Sequence, residues 1–178
     1  MSLATLAMVT VLLDFDAAAE IALWRPVDDV VMGGVSRSAF EAAGPGVARF
    51  AGTVSLEFGG GFASARTPPR DWDTAGATAF VLRVRGDGRT YKFTLRTGDG
   101  FDGIQYQARF APPAGEWTEL RLPVAEFAPT FRGRRVPFAP ALDPARVRAL
   151  GLMISDKQAG PFELQVDWIG VERRRPGD

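Results

Sequence analysis

The chemistry open to this sequence is set by its arginines, carboxylates and hydroxyls, because it contains no Cys, no His and no Asn. Without Cys there is no disulfide, thiol nucleophile or cysteine metal site. Without His, Ser-His-Asp and Cys-His catalysis are excluded, as is histidine-held zinc or iron. Without Asn there is no N-glycosylation sequon. The remaining polar groups are not scattered. Ser36 follows the glycine pair Gly33-Gly34, and Ser64 and Arg66 follow the run Gly59-Gly60-Gly61. Glycine permits positive φ and close backbone approach, so this punctuation exceeds what one turn requires. It fits two hairpins with bulges as well as a built site. Farther on, Arg83, Arg85, Lys92, Thr94, Arg96, Gln105, Gln107 and Arg109 take alternate positions in three successive apolar segments. If those segments pair in order, these residues form one cation-rich sheet face. Arg suits bidentate recognition of carboxylate or phosphate. The face is then either a groove for an anionic or polyhydroxylated partner, or a solvated surface offset by acids on neighbouring strands.

The acids give weaker signals. Asp99-Gly100-Phe101-Asp102-Gly103 lacks the spacing of a calcium-binding helix-loop-helix. Asp14, Asp16, Asp28 and Asp29 could converge on an oxygen-only structural calcium site. Apart from that ion, no cofactor is expected. No spacing singles out a carboxylate pair for glycoside hydrolysis. Gly59-Gly60-Gly61 is not followed by G-K-S/T and a helix, and no dinucleotide fingerprint is present. The expectation is a binding protein and not an enzyme.

The elements that must position these residues are strands. Phe80, Leu82 and Val84 alternate with Val81, Arg83 and Arg85, and Tyr91, Phe93 and Leu95, then Ile104, Tyr106, Ala108 and Phe110, alternate with polar residues. Period two over consecutive segments separated by Gly-Asp-Gly turns means antiparallel strands with one buried face. Val47 to Phe58 alternates too, placing Val54, Leu56 and Phe58 inward, and the stretch after Ser36 reads as a variable turn. Leu120, Leu122, Leu150 to Ile154 and the closing Phe162, Leu164, Val166 and Trp168 extend the pattern. Trp24, Trp117 and Trp168 are expected in the core. Pro123 to Pro144 reads as loop, and Asp143-Pro144 as a short helix start. Many short strands with almost no helix indicate an all-β, jelly-roll β-sandwich.

The 178 residues suit one domain, expected over 11–172 between a disordered start at 1–10 and a disordered basic tail at 173–178. The apolar run Leu3 to Leu13 lacks a basic leader and is too short to span a bilayer, so neither a signal peptide nor a membrane helix is expected. The formal net charge is zero, with 21 basic and 21 acidic residues, so no global field draws the chain to nucleic acid or a membrane surface. Richness in Ala, Arg, Gly and Pro points to a GC-rich bacterial genome. A cytoplasmic location follows, with contact to the inner membrane only through partners.

Several blocks carry a resemblance. W-x-x-V-x-D-x-V-M-G-G-x-S spans Trp24 to Ser36, F-x-G-x-V-S-L spans Phe50 to Leu56, and G-G-F-A-S-x-R spans Gly60 to Arg66. G-R-T-Y-K-F-T-L-R-T at Gly88 to Thr97, W-x-x-L-x-L-P from Trp117, F-x-P-x-x-R-G-R at Phe127 to Arg134 and L-G-L-M-I-S-D-K-Q-x-G-P-F at Leu150 to Phe162 follow. In content and order they resemble the complex I intermediate-associated protein 30 family. The likeness runs from Leu13 to Val171. It departs at Asp28, where the family often has Asn, and at Phe58-Gly59, where it often has Asn before the glycines. The resemblance implies a galactose-binding-domain-like sandwich related to carbohydrate-binding jelly rolls. It also implies assembly-factor work on respiratory complex I through protein partners.

The expected binding surface combines Asp29, Met32, Ser36, Ser64, Arg66, Lys92, Arg96, Gln105, Arg132, Asp156, Lys157 and Gln158. Of these, Arg66 and Arg96 are the leading candidates, because both fall in resembling blocks and on non-core positions. The expected partner is a protein, such as a respiratory-complex subunit or intermediate. The alternative is a glycan or small anionic ligand.

Overall fold

The computed structural model describes residues 7–174. Strands dominate, in the order β1 (Met8–Leu13), β2 (Arg25–Pro26), β3 (Arg37–Gly44), β4 (Val47–Val54), β5 (Ala63–Arg66), β6 (Ala77–Arg85) and β7 (Tyr91–Arg96). Then come β8 (Gln105–Phe110), β9 (Trp117–Pro123), β10 (Ala128–Phe131), β11 (Arg134–Arg135), β12 (Ala149–Ile154) and β13 (Gly160–Arg173). One helix, α1 (Ala18–Ala22), and four 3-10 turns complete the described elements. None of these helices is long and apolar enough to cross a membrane.

All strand pairs are antiparallel and fall into two sheets. The first runs β3-β4-β13-β6-β9, with β1 added along the C-terminal half of β13. The second runs β11-β10-β8-β7-β12-β5-β2. Their inner faces form one core, a jelly-roll sandwich. Phe80 of β6 meets Phe93 of β7 across the sheets with ring centroids 5.6 Å apart, and Phe127 packs edge-on against Phe80 at 5.6 Å. Such tilted contacts suit the ring quadrupoles. Phe50, Tyr91, Leu95, Leu150, Leu152 and Leu164 are fully buried beside them.

The alternation over 80–110 places the inward residues where the sequence predicts, but the pairing differs. β6 does not pair with β7. It lies between β13 and β9 in the first sheet, whereas β7 and β8 belong to the second. The expected single face of eight polar residues is therefore divided between opposite surfaces. Arg83 and Arg85 lie on the first sheet, where Arg83 pairs with Asp167 at 2.8 Å and Arg85 donates to Gln165 at 2.7 Å.

Further corrections concern ends and edges. The expected disordered start gives way at Met8, because Met8 to Val11 pair with Gly170 to Arg173. Residues 1–6 and 175–178 lie outside the described residues. The supposed turn after Ser36 is β3, an edge strand whose Phe40 stacks on Trp24 at 4.5 Å. β4 ends at Val54, and Leu56 and Phe58 are exposed where the pattern placed them inward. Part of the Pro-rich stretch forms β10 and β11. In β13 the register shifts between Val166 and Trp168, so Ile169 takes the buried position and Trp168 is only half-buried. Trp117 is likewise half-buried, with the guanidiniums of Arg83 and Arg85 over its ring, so of the three expected core tryptophans only Trp24 is buried. Asp143 does cap a single 3-10 turn, accepting from the Ala145 amide at 2.9 Å.

Candidate functional site

The glycine-rich stretch folds around one carboxylate. Asp29 is 1% exposed and stands at the start of a 3-10 turn, Asp29–Met32. Its Oδ1 accepts from the Ser36 amide at 2.9 Å. Its Oδ2 accepts from Ser36 Oγ at 2.5 Å, the Gly61 amide at 2.7 Å and the Phe62 amide at 3.3 Å. Ser36 Oγ in turn accepts from the Ser55 amide at 2.9 Å. The glycine pairs divide the labour. Gly33 and Gly59 adopt φ of +89° and +73°, where side chains are strained, while Gly34 and Gly60 make room for the carboxylate. A Cβ on Gly34 would stand 2.4 Å from Asp29 Cγ, and one on Gly60 would stand 2.5 Å from Asp29 Oδ2. Burial by itself would raise the Asp29 pKa, but the hydrogen bonds from Ser36, Gly61 and Phe62 outweigh it and hold the group below its ordinary value.

Asp28 makes a second clasp. Its carboxylate accepts from the Ser38 amide at 2.8 Å, Ser38 Oγ at 2.6 Å and the Ser64 amide at 3.0 Å. Ser38 lies on β3, the edge of the first sheet, and Ser64 on β5 near the edge of the second. The Ser64 hydroxyl donates to the Val27 carbonyl. Asp28 thus ties the two sheets together where they meet. The four acids Asp14, Asp16, Asp28 and Asp29 do not converge. Among the described residues no group of three acids is placed to hold a metal ion, and Asp28 and Asp29 accept N–H and O–H donors from the chain.

The two clasped loops turn their apolar side chains outward. Val31 is 62% exposed, Met32 66% and Phe58 77%, with Val30, Val35 and Leu56 also exposed. Phe58 has φ of +54°, a backbone setting uncommon for a bulky residue. Both loops bind the same carboxylate, so these side chains form one apolar tip at the β2–β3 edge of the sandwich. Of the expected binding residues, Met32 alone belongs to this tip. Asp29, Ser36 and Ser64 lie beneath it, with their side chains committed to the clasps.

Arg66 and Arg96 do come together, on the outer face of the second sheet. The cross-strand rows Arg25–Arg66–Gly151–Thr94–Gln107 and Ala149–Arg96 place them on either side of β12. The 98–103 segment between β7 and β8 folds over them. Arg66 Nη1 donates to the Phe101 carbonyl at 3.2 Å, and its guanidinium lies 4.2 Å from the Phe101 ring centroid. Arg96 Nη1 donates to the Gly103 carbonyl at 3.3 Å. A pocket of about 290 Å³ opens beside them, with Arg25, Val27, Pro68, Phe101 and Ala149 in its walls. Burial, with the repulsion of Arg96 added, pulls the Arg66 pKa down to about 10. Burial likewise lowers that of Arg96, against the pull of Asp102.

The other candidates disperse over the same sheet and its rim. Lys92 Nζ reaches Ser155 Oγ at 2.7 Å and Asp156 Oδ1 at 3.1 Å, and Asp156 Oδ2 also meets Arg109 at 3.0 Å. Gln105 accepts from Gln107 at 3.0 Å. Arg132 pairs with Asp102 at 2.6 Å. Asp156 and Lys157 adopt φ of +63° and +58° in the turn before β13. Gln158 pins that turn by exchanging hydrogen bonds with the Thr90 amide at 3.0 Å and its carbonyl at 2.8 Å. Sequence reasoning missed Val30, Val31, Leu56, Phe58 and Phe101. The only signal for Phe58 was its place next to a glycine run.

A larger depression of about 450 Å³ lies on the first sheet around Arg49 and Glu163. It is open and its charge is compensated, since Arg49 pairs with Glu163 at 2.9 Å and Glu41 at 2.8 Å.

The fold has solved counterparts. A family 11 carbohydrate-binding module of a cellulosomal cellulase of Clostridium thermocellum superposes with a TM-score of 0.69 at 13% identity, covering 96% of this chain and 98% of the module. A family 11 module from the same organism in complex with a β-1,3-1,4-mixed-linked tetrasaccharide superposes with a TM-score of 0.66 at 16% identity, covering 92% and 94%. At such identities the likeness establishes the fold alone. Among relatives by sequence, an uncharacterised protein of Schizosaccharomyces pombe is 30% identical over 166 residues, covering 82% of this chain and 76% of the relative. The mitochondrial complex I intermediate-associated protein 30 of Drosophila melanogaster is 27% identical over 184 residues, and the match spans 62% of its length. The family model for complex I intermediate-associated protein 30 matches residues 13–166, a stretch that holds both clasps, the apolar tip and the arginine pair, and the chain belongs to that family.

Proposed function

We propose that this protein is a non-catalytic binding module that captures assembly intermediates of respiratory complex I through protein–protein contacts at the apolar tip. The observation that carries this reading is the exposure of Val30, Val31, Met32, Leu56 and Phe58 on two loops held rigid by Asp29. Exposed apolar groups gathered in one place mark interaction surfaces. Here the loops are fixed by buried hydrogen bonds, which limits the ordering entropy lost on binding. An incompletely assembled membrane complex exposes apolar surface that its missing subunits would cover, and such surface is complementary to this tip. The name of the Drosophila relative supports the identity of the partner.

Carbohydrate binding, suggested by the fold of the family 11 modules, has less support from the side chains. Sugar C–H faces pack on exposed aromatic platforms. Tyr91 and Tyr106 point into the core, Trp24 and Trp72 are buried, Trp117 and Trp168 sit on the first sheet, and the exposed Phe101 beside the second sheet has the Arg66 guanidinium over its ring.

The test is affinity capture from solubilised membranes of the native host with wild type and a Val31→Asp/Phe58→Asp double variant. Asp tolerates the left-handed backbone of position 58, so the variant should fold. Each lost apolar contact should weaken binding about tenfold or more. Complex I subunits should be retained by wild type and lost by the variant. Equal retention by both, or no complex I subunit with either, would overturn the reading.

A further inference from the structure

We infer that the pocket beside Arg66 and Arg96 is a binding site for a small molecule bearing a carboxylate or phosphate group and an apolar flank. The site stands apart from the apolar tip, and its test is independent of the proposed partner.

The charge pattern around the pocket is the first observation. Several arginines elsewhere meet a carboxylate at 2.9 Å or less, namely Arg49, Arg83, Arg121, Arg148 and Arg173, while the half-buried Arg85 and Arg89 are held by the Gln165 side chain and by the Gln158 and Ala159 carbonyls. Arg66 and Arg96 meet no carboxylate, and neither does Arg25 in the pocket wall, among the described residues. Acids are close at hand but held by other cations. Asp99, which also lines the pocket, is taken by Arg148 at 2.7 Å, and Asp102 by Arg132 at 2.6 Å. Two half-buried guanidiniums close enough to repel each other are costly unless an anion joins them.

The second observation is unused donor capacity. Arg96 Nε is buried with no hydrogen-bond partner, so it adds to the cost of the unpaired charge, and the donors open to a ligand are the terminal N–H groups. Arg66 and Arg96 each spend a single N–H on a loop carbonyl, Phe101 and Gly103 respectively. The Phe101 ring lies against the Arg66 guanidinium, with Cζ 4.2 Å from the ring centroid. A planar guanidinium with free N–H groups suits bidentate contact with an oxyanion. The third observation is the wall. Val27, Pro68, Pro69, Phe101 and Ala149 supply apolar surface, so the ligand carries an apolar face next to its anionic head. The volume of about 290 Å³ is at the small end of the range for small-molecule sites.

The experiment is thermal unfolding of the full chain in graded inorganic phosphate, glucuronate and glucose at matched ionic strength. Wild type, Arg66→Gln, Arg96→Gln and the control Arg85→Gln, on the opposite sheet, are compared. Wild type and Arg85→Gln should gain roughly 5–10 °C at a hundredfold excess of a bound anion over its dissociation constant. Arg66→Gln and Arg96→Gln should lose that gain while unfolding without anion no earlier than wild type, because each removes an uncompensated charge. A response to phosphate alone identifies a phosphorylated ligand, and one to glucuronate a carboxylated one. The inference is overturned if neither anion shifts wild type, if glucose shifts it as much, if the gain survives in both pocket variants, or if Arg96→Gln unfolds well below wild type in the absence of anion.

Discussion

Replacing Asp29 by asparagine should destabilise this protein by about 3 kcal/mol at neutral pH and by much less in acid. The magnitude follows from the four donors that the carboxylate accepts. In its better orientation the amide oxygen takes the place of Oδ2 and keeps the Ser36 hydroxyl and the Gly61 and Phe62 amides. The amide NH2 then faces the Ser36 N–H, donor against donor. One stranded buried donor costs about 1–3 kcal/mol, and the surviving bonds fall from charge-assisted to neutral strength, a loss of roughly 1 kcal/mol more. For a chain of this size that is a fall in Tm of about 6–12 °C. The pH dependence has a definite sign. The Asp29 pKa is depressed in the folded state. Its contribution is therefore fully present above the unfolded value of about 3.9 and fades as pH falls below that, through the folded value. Urea unfolding of both proteins at pH 7 and near pH 3 should show a wide gap that narrows in acid. Equal stability at pH 7, or a gap that persists unchanged in acid, would refute the claim that the ionised carboxylate organises the two loops.

Three other substitutions test the frame around the sites. Gly151→Ala should cost about 1–3 kcal/mol in urea unfolding, because the new Cβ would stand 2.3 Å from Thr94 Oγ1 in the sheet face beside Arg66. Gly52→Ala should cost at least about 3 kcal/mol and loosen β3 in hydrogen exchange, since its Cβ would stand 1.9 Å from the Arg37 carbonyl oxygen, which is backbone and cannot turn aside. Asp156→Asn should cost roughly 1–2 kcal/mol in urea unfolding, because its pair with the exposed Arg109 is solvent-screened but the Lys92 side chain is only 12% exposed and is left with the Ser155 hydroxyl.

The strands of 77–110 were legible because their inward positions alternate without interruption. Alternation fixes which residues face a core, but it carries no information about which strand lies alongside. Alternation alone therefore groups Arg83 and Arg85 with Lys92 and Arg96, whereas β6 joins β13 and β9. The same pattern, carried past Val54, put Leu56 and Phe58 inward. The ladder stops there because the Ser55 amide turns to the Ser36 hydroxyl. β10 was hidden by Pro129, which lies in a strand one place from the sheet edge. β13 changes phase at a bulge, and nothing local to Trp168 announces it. The glycine pairs around Asp29 signal more than a turn, yet an aspartate seldom sits at the centre of a buried network, so the sequence by itself places Asp29 on the surface. Arg66 and Arg96 lay on the outward phase of β5 and β7, and their meeting depends on β12 between them, a long-range pairing that sequence spacing does not encode.

The proposed docking surface can be probed by placing a photoreactive benzophenone side chain at position 58 and, separately, at position 119, which is exposed on β9 at the opposite edge of the first sheet. After illumination of native-host membranes, complex I subunits should be cross-linked from position 58 and not from position 119. Cross-links to those subunits from position 119 alone or equally from both positions, or none from position 58, would contradict the assignment of the apolar tip as the surface that holds the assembly intermediate.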